Sequence, residues 1–120
     1  MALGMAAAIA IVIASIAQAR PKPTLHRQTA TMRMLASAYC DRGATKSGVL
    51  ARPGVVAADT RHLPIGTKLS VVAPGKPYAG VYTVLDTGSA IKGRDLDIFM
   101  PSCARAKKFG KRHVRVRILR

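Results

Sequence analysis

Val84-Leu85-Asp86-Thr87-Gly88-Ser89-Ala90-Ile91-Lys92-Gly93-Arg94-Asp95-Leu96-Asp97-Ile98-Phe99-Met100 is the stretch on which the reading of this chain turns. Residues 81–85 are β-branched, aromatic or aliphatic and predict a strand. That strand ends on an acid, Asp86. Gly88 and Gly93 then mark a loop, because glycine reaches backbone angles closed to other residues. Leu96, Ile98 and Phe99 predict a second strand, with Asp97 set inside the apolar run. The simplest arrangement is a hairpin with a carboxylate at each end and Lys92 in its loop. The chain has only five acidic residues, all aspartate, and one enclosed by Leu96 and Ile98 is poorly placed for a merely solvated charge.

Downstream, Ser102 is a predicted N-cap for a short helix that carries Lys107 and Lys108 in its last turn and stops at Gly110. Residues 113–119 alternate Val114, Val116 and Ile118 with His113, Arg115, Arg117 and Leu119, which predicts a closing strand. Upstream, Pro74-Gly75 marks a turn and residues 67–73 a strand. Leu63-Pro64-Ile65-Gly66 marks a tight turn, and residues 55–58 form a short strand that ends on Asp59. Residues 41–53 read as a long loop holding Thr45-Lys46-Ser47-Gly48. Residues 32–39 give the first strand, which ends at Cys40. About six short strands and one helix predict an all-β barrel. The strands ending on Asp59 and Asp86 echo one another, and two similar halves would bring those ends together.

Residues 1–19 contain no ionisable side chain, and Ala17-Gln18-Ala19 is a small-x-small cleavage site. They predict a signal helix for export, although no basic residue precedes the apolar run; a retained membrane anchor is the alternative. Residues 20–31 read as a basic linker containing Pro21 and Pro23, and residues 32–120 as the barrel domain. Lys plus Arg total 20 against the 5 acids, a formal net charge of +15, so polyanions and anionic surfaces are the natural partners. The cations are not gathered into a nucleic-acid motif and there are few aromatics for base stacking, so no nucleic-acid partner is expected. The two cysteines, Cys40 and Cys103, predict a disulfide in an exported chain. No Cys/His cluster has zinc-site spacing and the aspartates match no calcium loop, so no metal and no other cofactor is expected. His26, His62 and His113 are read as structural or solvated.

Six segments occur in an order that is similar to the three-aspartate ("3D") domain of bacterial cell-wall proteins. They are Ala38-Tyr39-Cys40, Thr45-Lys46-Ser47-Gly48, Val56-Ala57-Ala58-Asp59, Leu63-Pro64-Ile65-Gly66-Thr67, residues 85–93 and Leu96-Asp97-Ile98-Phe99. The resemblance runs over residues 36–119. It implies a six-stranded double-psi β-barrel with one short helix and a signal helix before it. It also implies peptidoglycan glycan strands as substrate, since the same segments occur in the barrel of membrane-bound lytic transglycosylase A. On this resemblance Asp97 is the catalytic acid, with Asp86 and Asp59 as its carboxylate neighbours. Thr67, Lys92, Gly88 and Thr45 are the implied substrate contacts. Ser89 stands where the family usually carries a second glycine. An exported monomer with no stable membrane association after signal cleavage is expected; a non-catalytic, expansin-like wall-binding module is the alternative.

Overall fold

The computed structural model describes Gly4 and residues 30–119. The expected signal segment and most of the linker lie outside the described residues. Period-two alternation builds the strands. They are β1 (Met32–Tyr39), β2 (Val55–Ala58), β3 (Lys68–Ala73), β4 (Gly80–Asp86), β5 (Asp95–Phe99) and β6 (Arg112–Leu119), with helix α1 (Cys103–Phe109) between β5 and β6. Met34 and Ala36, Leu96 and Ile98, and Val114 and Val116 turn inward and form the core with Val56, Leu69 and Val84. The residues between them face outward.

The strands close into a barrel in the order β1-β5-β2-β4-β3-β6, with β6 returning to β1. Closure leaves no unpaired edge. The β1·β5 and β2·β4 pairs are parallel and the other four antiparallel, which gives the expected six-stranded double-psi barrel with one helix. Helix α1 begins where Ser102 accepts a hydrogen bond from the Arg105 amide and ends at Gly110, whose φ of 61° suits glycine. Its Phe109 is buried and meets the Tyr78 ring edge-on at 4.8 Å. Cys40 and Cys103 are joined by a disulfide, which ties the end of β1 to the start of α1.

The hairpin expected between β4 and β5 does not form. β2 lies between them, parallel to β4 and antiparallel to β5. The Gly-rich segment is therefore a crossover above the end of β2. β4 and β5 run antiparallel but are not neighbours, so their connection has to span two strand spacings across β2, which a tight hairpin turn cannot do, and no local signal distinguishes a turn from a crossover of this length.

Candidate active site

Strand register assembles the site. Asp97 on β5 pairs with Ser37 on β1 and with Ala57 on β2, and Ala57 pairs with Asp86 on β4. Ser37, Asp97, Ala57 and Asp86 thus form one row across four strands, on the outer face. Alternation alone would send Asp86 into the core, because Val84 is fully buried two residues earlier. The register shifts instead: Val56 pairs with Val84 but Ala57 with Asp86, leaving Leu85 as an extra residue. Such a bulge re-aims the side chain that follows it. The Leu85 carbonyl is taken by the Ser47 amide at 3.1 Å, so the bulge also docks the 41–53 loop.

The Asp86 carboxylate accepts hydrogen bonds from the amides of Lys46 (3.0 Å) and Thr87 (2.9 Å) and from the Tyr39 hydroxyl (3.4 Å). Tyr39 packs edge-on to Phe99, 5.5 Å between centroids. Burial first, then the Asp86 charge, pushes the Tyr39 phenol well above its usual range, so Tyr39 is a donor and not a base.

Asp97 is half-buried, and its Oδ1 accepts a hydrogen bond from the Ser37 hydroxyl at 3.0 Å. Burial raises its pKa; the Ser37 hydrogen bond opposes the rise and the Asp86 charge adds to it. A carboxyl raised by desolvation and a second carboxylate is the usual arrangement for a general acid.

Asp59 does not join this row. Its carboxylate is buried and held by Arg61, with Nε at 3.0 Å and Nη2 at 2.8 Å, and by the Gly93 amide at 2.8 Å. The Arg61 hydrogen bond, then that of Gly93, holds its pKa well below the ordinary carboxylate value against the effect of burial. The structure pairs Asp59, expected as a carboxylate neighbour of Asp97, with Arg61 and the Gly93 amide. Arg61, two residues on, engages both of its oxygens, and Oδ2 also accepts from the amide of Gly93, whose φ of 58° suits glycine, and so anchors the crossover loop. His62 Nε2 lies 4.0 Å from the same carboxylate and is exposed.

The expected substrate contacts divide. Lys92 is exposed on the loop, its amide donating to Asp95 at 3.3 Å, and its ammonium has no ion-pair partner among the described residues. Gly88 accepts from the Ile91 amide and turns the same loop. Thr45 is buried, with its hydroxyl donating to the Val49 carbonyl at 2.6 Å and 2.8 Å from the Ser47 hydroxyl; it organises the loop that brings the Lys46 amide to Asp86. Thr67 donates to the Pro64 carbonyl at 2.7 Å and caps its turn. Sequence reading missed Ser37, Tyr39 and Arg61. Arg61 could have been found as a basic side chain two residues from an acid. Ser37 and Tyr39 carry no local signal, since their partners are 60 and 47 residues away. Beside Ser37 a hollow of about 270 Å³, lined also by Leu35, Ala90, Ile91, Asp95 and Lys111, extends the surface away from Asp86.

The 3D domain family model matches residues 54–120, the part of the chain that holds all three of these aspartates. The chain belongs to the 3D domain family. Among relatives, this 3D domain chain is 38% identical over 65 residues to a protein of Bacillus subtilis strain 168 named cell wall-binding protein YocH; the match covers 54% of this chain and 21% of that protein. Among solved structures it is similar to E. coli MltA with bound chitohexaose, at a TM-score of 0.56 and 24% identity, over 67% of this chain and 28% of that one. MltA is a lytic transglycosylase. It is also similar to a Streptomyces papain inhibitor, at a TM-score of 0.60 and 15% identity, over 76% of this chain and 96% of the other. The 3D barrel fold is thus shared by an enzyme and an inhibitor, and the chemistry must be argued from the site.

Proposed function

We propose that this chain is an exported peptidoglycan lytic transglycosylase that cleaves the β-1,4 bond between N-acetylmuramic acid and N-acetylglucosamine. The observation that carries the reading is the half-buried Asp97 carboxyl, raised in pKa and set in one row with Ser37 and Asp86. A hydrolase needs two carboxylates at a defined separation. A lytic transglycosylase needs one, because the nucleophile is the 6-hydroxyl of the sugar being cleaved and is already tethered.

Protonated Asp97 gives its proton to the glycosidic oxygen as the bond from that oxygen to the anomeric carbon breaks. The 6-hydroxyl oxygen bonds to the same carbon, closing a 1,6-anhydro ring. Its proton passes to the Asp97 carboxylate, which restores the acid. Ser37 occupies Oδ1 and leaves Oδ2 to carry the proton. Asp86, fixed by its three donors, keeps the Asp97 proton on by its charge and faces the positive charge that develops on the sugar. Lys92, unpaired at the rim, suits a sugar oxygen or a stem-peptide carboxylate.

The similarity to YocH, named a cell wall-binding protein, favours a second reading, in which the groove holds glycan without turnover. Mass spectrometry of purified sacculi after incubation decides between them. Release of 1,6-anhydro muropeptides supports the enzyme; wall binding without products supports the module. Export is tested by amino-terminal sequencing of the envelope fraction, which should begin at Arg20.

A further inference from the structure

The five acids stand at positions 41, 59, 86, 95 and 97: Asp86 on β4, Asp95 and Asp97 on β5, Asp59 just after β2 and Asp41 in the loop between β1 and β2. None lies on β1, β3, β6 or α1. In the barrel order β6 is three strands from β2 in either direction, so it is diametrically opposite the centre of the aspartate row. The barrel has one carboxylate face and, behind it, one purely cationic face.

On that face Arg33 of β1 and Arg115 of β6 are direct cross-strand partners, and both are exposed. Like charges directly opposite on a sheet destabilise it. Neither arginine has an ion-pair partner among the described residues, so no described acid relieves the repulsion. Both line an open hollow of about 550 Å³ whose other walls are Arg112, His113, Val114, Ala73 and Pro74. Arg112 is immobilised there: its Nε and Nη2 donate to the Phe109 carbonyl at 3.0 and 2.9 Å, and its guanidinium lies over the Phe109 and Tyr78 rings at 4.4 and 5.1 Å.

We propose that the hollow around Arg33 and Arg115 is a second binding site, which takes the phosphate groups of an anionic phosphodiester polymer. Two guanidiniums across a strand pair suit a phosphate group, which arginine forks match and whose two anionic oxygens diverge from a tetrahedral centre so that each can accept from a different arginine. Cations repeating at alternate residues of a strand, about 6.8 Å apart, suit a chain of charges more than an isolated ion. A membrane surface fits less well, since Ala73, Pro74 and Val114 supply no aromatic or long aliphatic side chain to enter a bilayer. The site does not depend on the transglycosylase reading. A polymer held on β6 leaves the Asp97 row open on the other side, so the face would tether the domain without covering its groove.

The test measures binding of the purified full chain to long-chain inorganic polyphosphate across a salt series. The wild type should bind with a steep salt dependence. Arg33→Gln/Arg115→Gln should lose about tenfold or more in affinity and flatten the salt slope by about one to two units. Lys107→Gln/Lys108→Gln on α1 removes the same charge elsewhere and should stay within about twofold. Without polyphosphate the arginine variant should melt no lower than wild type, because a repulsive pair is gone; polyphosphate should raise the wild-type melting temperature and not the variant's. Equal losses in the two double variants would reduce the effect to net charge and overturn the site. Tighter binding to phosphatidylglycerol vesicles than to polyphosphate at equal phosphate would assign the face to a membrane and overturn it as well.

Discussion

Asp86 and Asp97 stand on one outer row of the barrel, each paired across the strands with Ala57. The strand residue between them contributes only a methyl group, itself buried, and Tyr39, which donates to Asp86, also feels the Asp97 charge. The Asp86 charge helps keep the proton on Asp97. The arrangement depends on the Leu85 bulge, without which Asp86 would point into an apolar core at considerable cost.

Asp97→Asn keeps the shape of the carboxyl and loses its transferable proton. It should fold, bind sacculi, and release 1,6-anhydro muropeptides roughly a hundredfold more slowly or worse. Asp86→Asn should lie between it and the wild type. Asp95→Asn should be close to wild type, because the amide oxygen can still accept from the Lys92 amide. Full activity in a folded Asp97→Asn protein would remove the catalytic assignment.

The same variant has a signature in thermal melts. The folded-state pKa of Asp97 is raised, so folding favours its protonated form and the ionised form opposes folding. Its favourable contribution is complete below the unfolded carboxyl value of about 3.9 and is lost as pH rises through the folded value. Asp97→Asn should therefore melt above wild type at neutral pH and together with it below about pH 4. A variant that melts lower at neutral pH would contradict the burial argument.

Ser37 and Asp86 act on Asp97 with opposite sign. An acid catalyst loses activity as pH rises through its pKa. Ser37→Ala removes a hydrogen bond that favours the carboxylate, so the alkaline limb of the pH–rate profile should move up. Asp86→Asn removes a repelling charge, so the limb should move down. Shifts in the same direction would show that Ser37 and Asp86 do not act through the Asp97 proton.

Asp59 behaves in the reverse way. Its folded pKa is depressed by Arg61 and Gly93, so its stabilisation is present above about pH 3.9 and is lost as pH falls toward the folded value. Asp59→Ala should lower the melting temperature at neutral pH, with the deficit shrinking below about pH 4. Hydrogen exchange at Gly93 should quicken in the variant, since its amide loses its acceptor. An unchanged Gly93 rate would show that the loop is held by something else.

Cys40 and Cys103 close a loop across a sequence separation of 63 residues. The chain-entropy treatment assigns such a loop about 4 kcal/mol, often less in practice. Urea unfolding of Cys40→Ser/Cys103→Ser should give a lower midpoint and an unfolding free energy reduced by up to about that amount. Activity should also fall, because Tyr39, the Asp86 donor, adjoins Cys40.

Much of the fold was legible in the chain. Strand and helix positions followed from alternation at residues 113–119, from Ser102 and Gly110 around the helix, and from turn residues such as Pro74 and Gly75. These signals are local, set by side-chain period and backbone freedom. The site was legible only in part. Asp97 was marked by Leu96 and Ile98, and the Asp86 segment by its glycines. Asp59 looked equivalent to Asp86 because both end apolar strands; what differs is Arg61, which neutralises one and has no counterpart beside the other.

The sequence by itself determined the strands, the helix, the two cysteines, the family and the shortage of acids that singles out the aspartates. Tertiary structure decided which strands meet. It set β2 between β4 and β5, made Leu85 the extra residue, brought Ser37 and Tyr39 to carboxylates far along the chain, and placed Arg33 opposite Arg115. The physical reason is that strand pairing and register are non-local. Each local segment alternates in and out whichever neighbour it takes, and only closure of the barrel around one core selects the neighbour and the face.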